Sequence, residues 1–83
     1  MNASVDISMY PLQEDYETPI LDFIRRLRQN KGVEIHTNAL STQISGDYDL
    51  IMTLLSREIK ISFQQGFTQI MVLKILNIKI DLP

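Results

Sequence analysis

The stretch EIHTNALSTQISGDYD, residues 34–49, decides the fold predicted for this chain. Apolar and polar residues alternate on both sides of its centre, which is typical of two strands joined as a hairpin. The turn lacks the Asn-Gly or Asp-Gly pair that favours a tight hairpin, and hydroxyl and amide side chains surround it. The stretch is therefore either an ordinary polar hairpin or the wall of a binding site.

On the N-terminal side of this hairpin, the sequence predicts one strand and one helix. Residues 2–10 alternate between apolar and polar side chains, as a strand with one buried face does. Thr18 and Pro19 suit the start of a helix whose apolar residues recur at three- and four-residue steps, and Gly32 suits its end. The arginines within residues 25–28 are interpreted as a solvated helix face.

On the C-terminal side, the sequence predicts a second helix and a last strand. Asp47 or Asp49 is expected to cap this helix, whose apolar positions extend to Phe63. Residues 67–76 read as a strand that is apolar on both faces, so both faces are expected to be covered. Residues 76–83 are expected to form an extra edge strand or a tail used in assembly.

The predicted order is therefore β-α-β-β-α-β, which is the order of a ferredoxin-like α+β sandwich. We expect a single domain over residues 1–83, with an antiparallel four-stranded sheet and two helices on one face. The first and third strands are central in this fold, so Asp6 and Gln43 are expected to be close neighbours on the other, open face.

Composition excludes several classes of function. The 83 residues contain no cysteine, which excludes thiolate, redox and zinc-finger chemistry. The net charge of −2 and a third strand without aromatic residues argue against a nucleic-acid partner. The apolar runs are too short to cross a membrane and no signal peptide is visible, so we expect no membrane partner and a cytoplasmic location.

Catalysis and metal binding have little support in the sequence. His36 is the single histidine, and no G-x-S-x-G motif occurs, so no catalytic triad is indicated. A metal site at His36 with Glu34 or Asp6 would rest on that lone histidine. We therefore predict no catalytic residue, no metal and no cofactor.

Three segments together resemble one family. The phrases SVDISMYPL (4–12), HTNALSTQISGDYDLIM (36–52) and VLKI (72–75) occur in the order and spacing of the small thiamine-binding, YkoF-like proteins. This resemblance implies a ferredoxin-like fold, non-enzymatic binding of thiamine or its hydroxymethylpyrimidine half, and assembly into dimers or tetramers. The biological role would be transport, storage or sensing.

The resemblance makes Thr37, Asn38, Ser41 and Thr42 the expected ligand contacts, at the hairpin end of the sheet. Side chains near them could hydrogen-bond an aminopyrimidine or face a thiazolium, and Tyr10, Tyr16 and Tyr48 are candidate aromatic walls. The full predicted ligand-binding set is Asp6, Ser8, Tyr10, His36, Thr37, Asn38, Ser41, Thr42 and Gln43.

Strand parity complicates this site. Asn38 and Ser41 should point to the open face, whereas Thr37 and Thr42 should point toward the helices, unless the strand ends bend. Asp6 is expected to contact the ligand or to pair with a cation such as Lys74. Two other functions stay open: a structural or regulatory protein-interaction module, and an enzyme that uses His36 and Asp6 as an acid–base pair.

Overall fold

The computed structural model describes residues 1–81 and confirms the βαββαβ order. Residues 82 and 83 lie outside this description. The end of the tail expected to serve in assembly, which includes Leu82, is therefore outside it as well. The elements are β1 (Asn2–Pro11), α1 (Glu17–Arg28), β2 (Val33–Thr37), β3 (Thr42–Asp47), α2 (Tyr48–Phe63) and β4 (Gln69–Leu76).

The four strands form one antiparallel sheet in the order β2-β3-β1-β4. Asp6 is the register partner of Gln43, which confirms that the first and third strands are central neighbours. Both helices cover one face of the sheet, and the other face is the open face. The core between helices and sheet consists of Val5, Ile7, Phe23, Leu27, Ile44, Ile51, Leu54 and Leu55.

Aspartates define both helix starts. Asp47 is the N-cap of α2, and its carboxylate accepts a hydrogen bond of 3.1 Å from the Leu50 amide. Of the two predicted caps, Asp47 and Asp49, it is thus Asp47 that caps the helix. The predicted start of α1 at Thr18 and Pro19 was too late, because the helix begins at Glu17. The Asp15 carboxylate accepts a bond of 3.3 Å from the Thr18 amide, so it serves the first turn instead of a threonine cap.

The interface between the two helices is more polar than expected. Glu58 and Ser62 are buried on α2, whereas Phe63, which was predicted to be on the apolar face, is 50% exposed. The guanidinium of Arg26 donates to the Glu58 carboxylate at 2.8 Å and also to the Ser62 hydroxyl. The interpretation of the arginines as a solvated face was therefore wrong for Arg26, whose side chain is 11% exposed.

Residues 77–81, the described part of the segment after β4, form no strand, so of the two alternatives for this segment they do not form the extra edge strand. Residues 77–81, here called the C-terminal strap, turn back across the open face. The Ser4 hydroxyl accepts from the Ile80 amide and donates to the Ile78 carbonyl, both at 2.9 Å. Lys79 pairs with Glu34 on β2 at 3.0 Å, so the strap reaches the far edge of the sheet.

The two helices contain 12 and 16 residues. Within residues 1–81, no helix combines the length and apolar character needed to span a membrane.

Candidate functional site

A cavity lies where the β2–β3 hairpin meets the N-terminal half of α1, and we call it the hairpin-end cavity. Its volume is about 340 Å³. This falls at the lower end of the range typical of small-molecule sites, about 300–1,000 Å³. The lining residues come from β1, from the start of α1 and from the hairpin: Ile7, Met9, Tyr10, Tyr16, Ile20, Ile24, Asn38, Ala39, Leu40, Ser41 and Thr42.

Asn38 shapes the hairpin loop through its side chain. Its Oδ1 accepts hydrogen bonds from the amides of Leu40 at 2.8 Å and Ser41 at 3.0 Å. This side-chain turn replaces the Asn-Gly pair whose absence was notable in the sequence. Because two amides fix the oxygen, the Nδ2 group is the part of Asn38 that remains for other partners, and it can only donate.

Ser41 connects the loop to the centre of the sheet. Its hydroxyl donates a hydrogen bond of 2.6 Å to Oδ1 of Asp6 on β1. Asp6 lies on the open face, where its register partner on β4 is Lys74. Within residues 1–81, no ion pair joins these two side chains, so the carboxylate serves the hairpin instead.

Tyr10 and Tyr16 supply the aromatic walls of the cavity. Tyr10 lies near the end of β1 and is 53% exposed, while Tyr16 immediately precedes α1 and is 61% exposed. Tyr16 is flanked by Glu14 and Asp15 in the loop and by Glu17 at the start of α1, all exposed, so the chain beside this wall is acidic. Tyr48, the third candidate wall, begins α2 and does not line the cavity.

The nine predicted ligand-binding residues do not all line one cavity. Tyr10, Asn38, Ser41 and Thr42 line the hairpin-end cavity. Asp6 and Gln43 line a second cavity of about 370 Å³ on the open face beside the C-terminal strap. Ser8, His36 and Thr37 line neither cavity.

The parity conflict is resolved at the hairpin loop. Thr42 faces the helices and is buried, whereas the Ser41 hydroxyl turns to Asp6 on the open face, as parity predicts. The regular strands end at Thr37 and Thr42, and the loop residues Asn38 and Ser41 also border the cavity. Thr37 is separated from them, because its hydroxyl accepts a hydrogen bond of 3.3 Å from Arg28 on α1. The four expected contacts therefore divide into three that line the cavity and one that contacts α1.

Six apolar lining residues were not predicted as part of the site: Ile7, Met9, Ile20, Ile24, Ala39 and Leu40. In the sequence, four of them match the helix and strand periodicity of a core, and Ala39 and Leu40 occupy loop positions. Ile20 and Ile24 differ from Phe23 and Leu27 only in being partly exposed, and periodicity alone does not reveal that difference.

The two carboxyl groups with shifted pKa values lie at the helix interface, away from the cavity lining. Hydrogen bonds from Arg25, Gln65 and Arg26 outweigh burial and lower the pKa of Asp22 to about 2. Burial raises the pKa of Glu58, but hydrogen bonds from Arg57 and Arg26 outweigh it, and the pKa falls below its usual value. Both groups therefore stabilise the fold as anions. In the described part of the chain, no group of three or more acidic or histidine side chains could hold a metal ion.

Solved structures from several organisms share this fold. A candidate thiamine biosynthesis or salvage protein of Thermotoga maritima superposes with a TM-score of 0.85 at 19% identity, over 99% of this chain and 91% of that one. A protein of Streptococcus pneumoniae gives 0.79 at 21% identity, over 96% and 90% of the two chains. A hypothetical protein of Methanocaldococcus jannascii gives 0.79 at 19% identity, over 98% and 84%.

These identities support a common fold and no more. No curated protein matches the chain at a significant level. A family model described as thiamine-binding protein, however, matches residues 5–82, which is nearly the whole chain. The chain therefore belongs to the thiamine-binding protein family.

Proposed function

We propose that the protein binds thiamine, or a related compound that carries its hydroxymethylpyrimidine ring, in the hairpin-end cavity and releases it unchanged. One observation carries this proposal: a cavity with two tyrosines also has Asn38, Ser41 and Thr42 in its lining. Such a mixture of flat apolar walls and a few fixed polar groups suits a small heteroaromatic ligand. Membership of the thiamine-binding family supports the choice of ligand.

The charge around the cavity suits a cationic ligand. The lining contains no lysine or arginine, and Tyr16 sits within an acidic loop. A tyrosine face attracts a cation such as the thiazolium of thiamine by about 0.5–2 kcal/mol, depending on how far water is excluded. Carboxylates nearby would add a weaker, salt-dependent attraction.

Binding without catalysis is supported by what lines the cavity. Its lining residues include neither histidine nor a carboxylate, and His36 lies instead on β2, opposite Gln43. An acid–base pair of His36 and Asp6 would act on the open face, outside the cavity that we propose for the ligand. The ligand is therefore expected to be recovered intact.

We also propose that the protein self-associates through its open face. The side of β4 away from the helices carries Ile70, Val72 and Leu76, which are 50%, 47% and 41% exposed. An apolar row of this kind on a sheet face is typical of an interaction surface. Light scattering should show a dimer or tetramer, and Val72→Lys should shift it to monomer; a monomeric parent protein at micromolar concentration would contradict this part.

Titration calorimetry with thiamine, and with hydroxymethylpyrimidine alone, tests the binding proposal. Tyr16→Leu should weaken thiamine binding by about 2- to 30-fold, because the cation loses an aromatic face. The matched control is Tyr48→Leu, which removes a tyrosine outside the cavity and should leave affinity unchanged. An absence of heat with both ligands, in folded protein, would defeat the proposal and favour a protein-interaction module. Chromatography of the ligand after incubation checks that it is not converted.

A further inference from the structure

The cavity on the open face, which the proposed thiamine site does not include, lies beside the C-terminal strap, and we call it the strap cavity. Its volume of about 370 Å³ is within the range typical of small-molecule sites. Three polar residues from neighbouring strands line it: Gln43 on β3, Asp6 on β1 and Lys74 on β4. Its apolar lining includes Leu76 at the end of β4 and Ile80 in the strap.

The three polar residues form one row across the sheet. Asp6 is the register partner of Gln43 on one side and of Lys74 on the other. Directly opposed residues of adjacent strands point to the same face, so the three side chains project together. Ser4, two residues before Asp6, bonds the strap from the open face, so the row projects from that face as well. The row therefore meets the strap cavity on the side from which its side chains project.

The next row toward the strap contains two buried serines, Ser4 and Ser45, whose hydroxyls are fully occupied. Ser4 donates to the Ile78 carbonyl and accepts from the Ile80 amide, both at 2.9 Å, and its oxygen also lies 2.8 Å from the Ser45 hydroxyl. Because a hydroxyl has one hydrogen, Ser45 is the donor in that last bond. The two serines thus have no hydrogen left for a ligand, and they hold the strap in place as one wall of the cavity.

The row of Gln43, Asp6 and Lys74, in contrast, has polar groups that the described chain leaves unused. Asp6 accepts from the Ser41 hydroxyl through Oδ1 at 2.6 Å, and within residues 1–81 no other hydrogen bond or ion pair involves its carboxylate. Over the same residues, Lys74 forms no ion pair and the side-chain amide of Gln43 makes no hydrogen bond. An anion and a cation therefore stand side by side at the edge of an apolar cavity, without pairing with each other.

We propose that the strap cavity binds an apolar α-amino acid in its zwitterionic form. The ammonium group of the ligand donates to the Asp6 carboxylate, the Lys74 ammonium donates to the carboxylate of the ligand, and the apolar side chain contacts Leu76 and Ile80. Opposed side chains of adjacent strands start about 4.5–5.5 Å apart, so one small zwitterion can reach both charges. A ligand with a single charge would leave one of the two without a partner. This site is independent of the thiamine site proposed above.

Exposure limits the affinity of this site. Lys74 is exposed and Asp6 is half-buried, so water screens both ion pairs with the ligand. We therefore expect a dissociation constant on the order of 1 mM. The apolar row proposed for self-association shares Leu76 with the cavity, so ligand binding and self-association are linked, and titrations need one fixed protein concentration.

An NMR titration of isotope-labelled protein with L-leucine tests the proposal. Leucine should shift the backbone amides of Gln43, Asp6 and Lys74 and leave those of Tyr16 and Ile20, at the hairpin-end cavity, unchanged. Two analogues keep the side chain of leucine but lack one charge: isocaproate has no ammonium group, and isoamylamine has no carboxylate. Each should bind about 3- to 10-fold more weakly than leucine.

Three results would overturn the proposal. The first is the absence of any shift at leucine concentrations about twenty times the expected dissociation constant. The second is equal affinity for leucine and both analogues, which would indicate contact with the apolar surface alone. The third is a set of shifts confined to the hairpin-end cavity.

Two variants assign each charge of the ligand to its partner. Asp6→Asn keeps an oxygen for the Ser41 hydroxyl but removes the negative charge, so it should weaken leucine by about 3- to 10-fold without weakening isocaproate. Lys74→Gln should weaken leucine to a similar extent without weakening isoamylamine. Lys60→Gln, at an exposed position of α2 outside the cavity, is the matched control and should keep the parent affinity.

The test does not depend on one variant. If Asp6→Asn does not fold, Lys74→Gln at its exposed position still decides the outcome. An unchanged affinity for leucine in folded Asp6→Asn, or in Lys74→Gln, would overturn the proposal.

Discussion

Arg26 links the two helices, and its replacement by methionine should cost a large part of the stability. Its guanidinium bonds Asp22 at 2.9 Å, the Glu58 carboxylate at 2.8 Å and the Glu58 carbonyl at 3.0 Å. Methionine keeps the apolar stem but leaves Glu58, which is 5% exposed, with Arg57 as its remaining cation at 2.8 Å. Breaking a buried ion pair costs about 3–5 kcal/mol.

Because Arg57 still neutralises part of the Glu58 charge, we expect a somewhat smaller loss, about 2–4 kcal/mol. An 83-residue domain has a free energy of unfolding of roughly 4–12 kcal/mol, so this loss is serious. Urea unfolding followed by circular dichroism measures it. The control is Arg25→Met, which loses an exposed pair with Asp22 and should cost less than about 0.5 kcal/mol.

A double variant provides the decisive comparison. Adding Glu58→Leu to Arg26→Met removes the unpaired buried charge and replaces it with an apolar side chain of similar length. The double variant should therefore be more stable than Arg26→Met alone. If the two substitutions simply added their losses, or if Arg26→Met cost no more than Arg25→Met, the reasoning from a buried pair would be wrong.

Three further predictions concern the loop, the acid range and the strap. Asn38→Ala should lower the free energy of unfolding by about 1–2 kcal/mol and should also weaken ligand binding. Asn38→Asp keeps the oxygen that bonds the loop amides, so it should lose mainly affinity for hydroxymethylpyrimidine. Urea unfolding and calorimetry together distinguish these outcomes. Because the pKa values of Asp22 and Glu58 are lowered in the folded state, their stabilisation is complete above their ordinary pKa values and should decline as the pH falls from about 4.5 toward 2; urea midpoints that stay constant over that range would contradict this. Ser4→Ala removes the hydroxyl that holds the C-terminal strap, so trypsin should cleave after Lys79 several-fold faster than in the parent protein, and unchanged cleavage would show that the strap is held by other contacts.

The fold was predictable because local patterns agree with the global topology. The alternation in β1 was read directly from the sequence, and Asp47 was one of two candidate caps of α2; the βαββαβ order then implied the sheet order and the pairing of Asp6 with Gln43. The errors arose where polar residues replace apolar ones. Arg26 and Glu58 have no apolar signature, yet each buries its charge against the other, and that pairing depends on a helix crossing that the sequence does not show.

The site was predictable only in part. The polar side chains of the hairpin and the family resemblance pointed to Asn38, Ser41 and Thr42, and all three residues line the hairpin-end cavity. The sequence could not show that Thr37 contacts Arg28, nor that Asp6 bonds Ser41, because both contacts join residues from different elements. Side-chain parity correctly separated Ser41, whose hydroxyl bonds Asp6 on the open face, from Thr42, which is buried toward the helices.

The apolar residues of α1 form two stripes that differ in how fully they are buried. Phe23 and Leu27 are fully buried against the core, whereas Ile20 and Ile24 border the hairpin-end cavity and stay partly exposed. Side-chain freedom follows local packing, so Ile20 and Ile24 should change rotamer more readily than Phe23 and Leu27. The stripe that a ligand would touch is thus the more mobile one, and occupancy should restrict the side chains of Ile20 and Ile24.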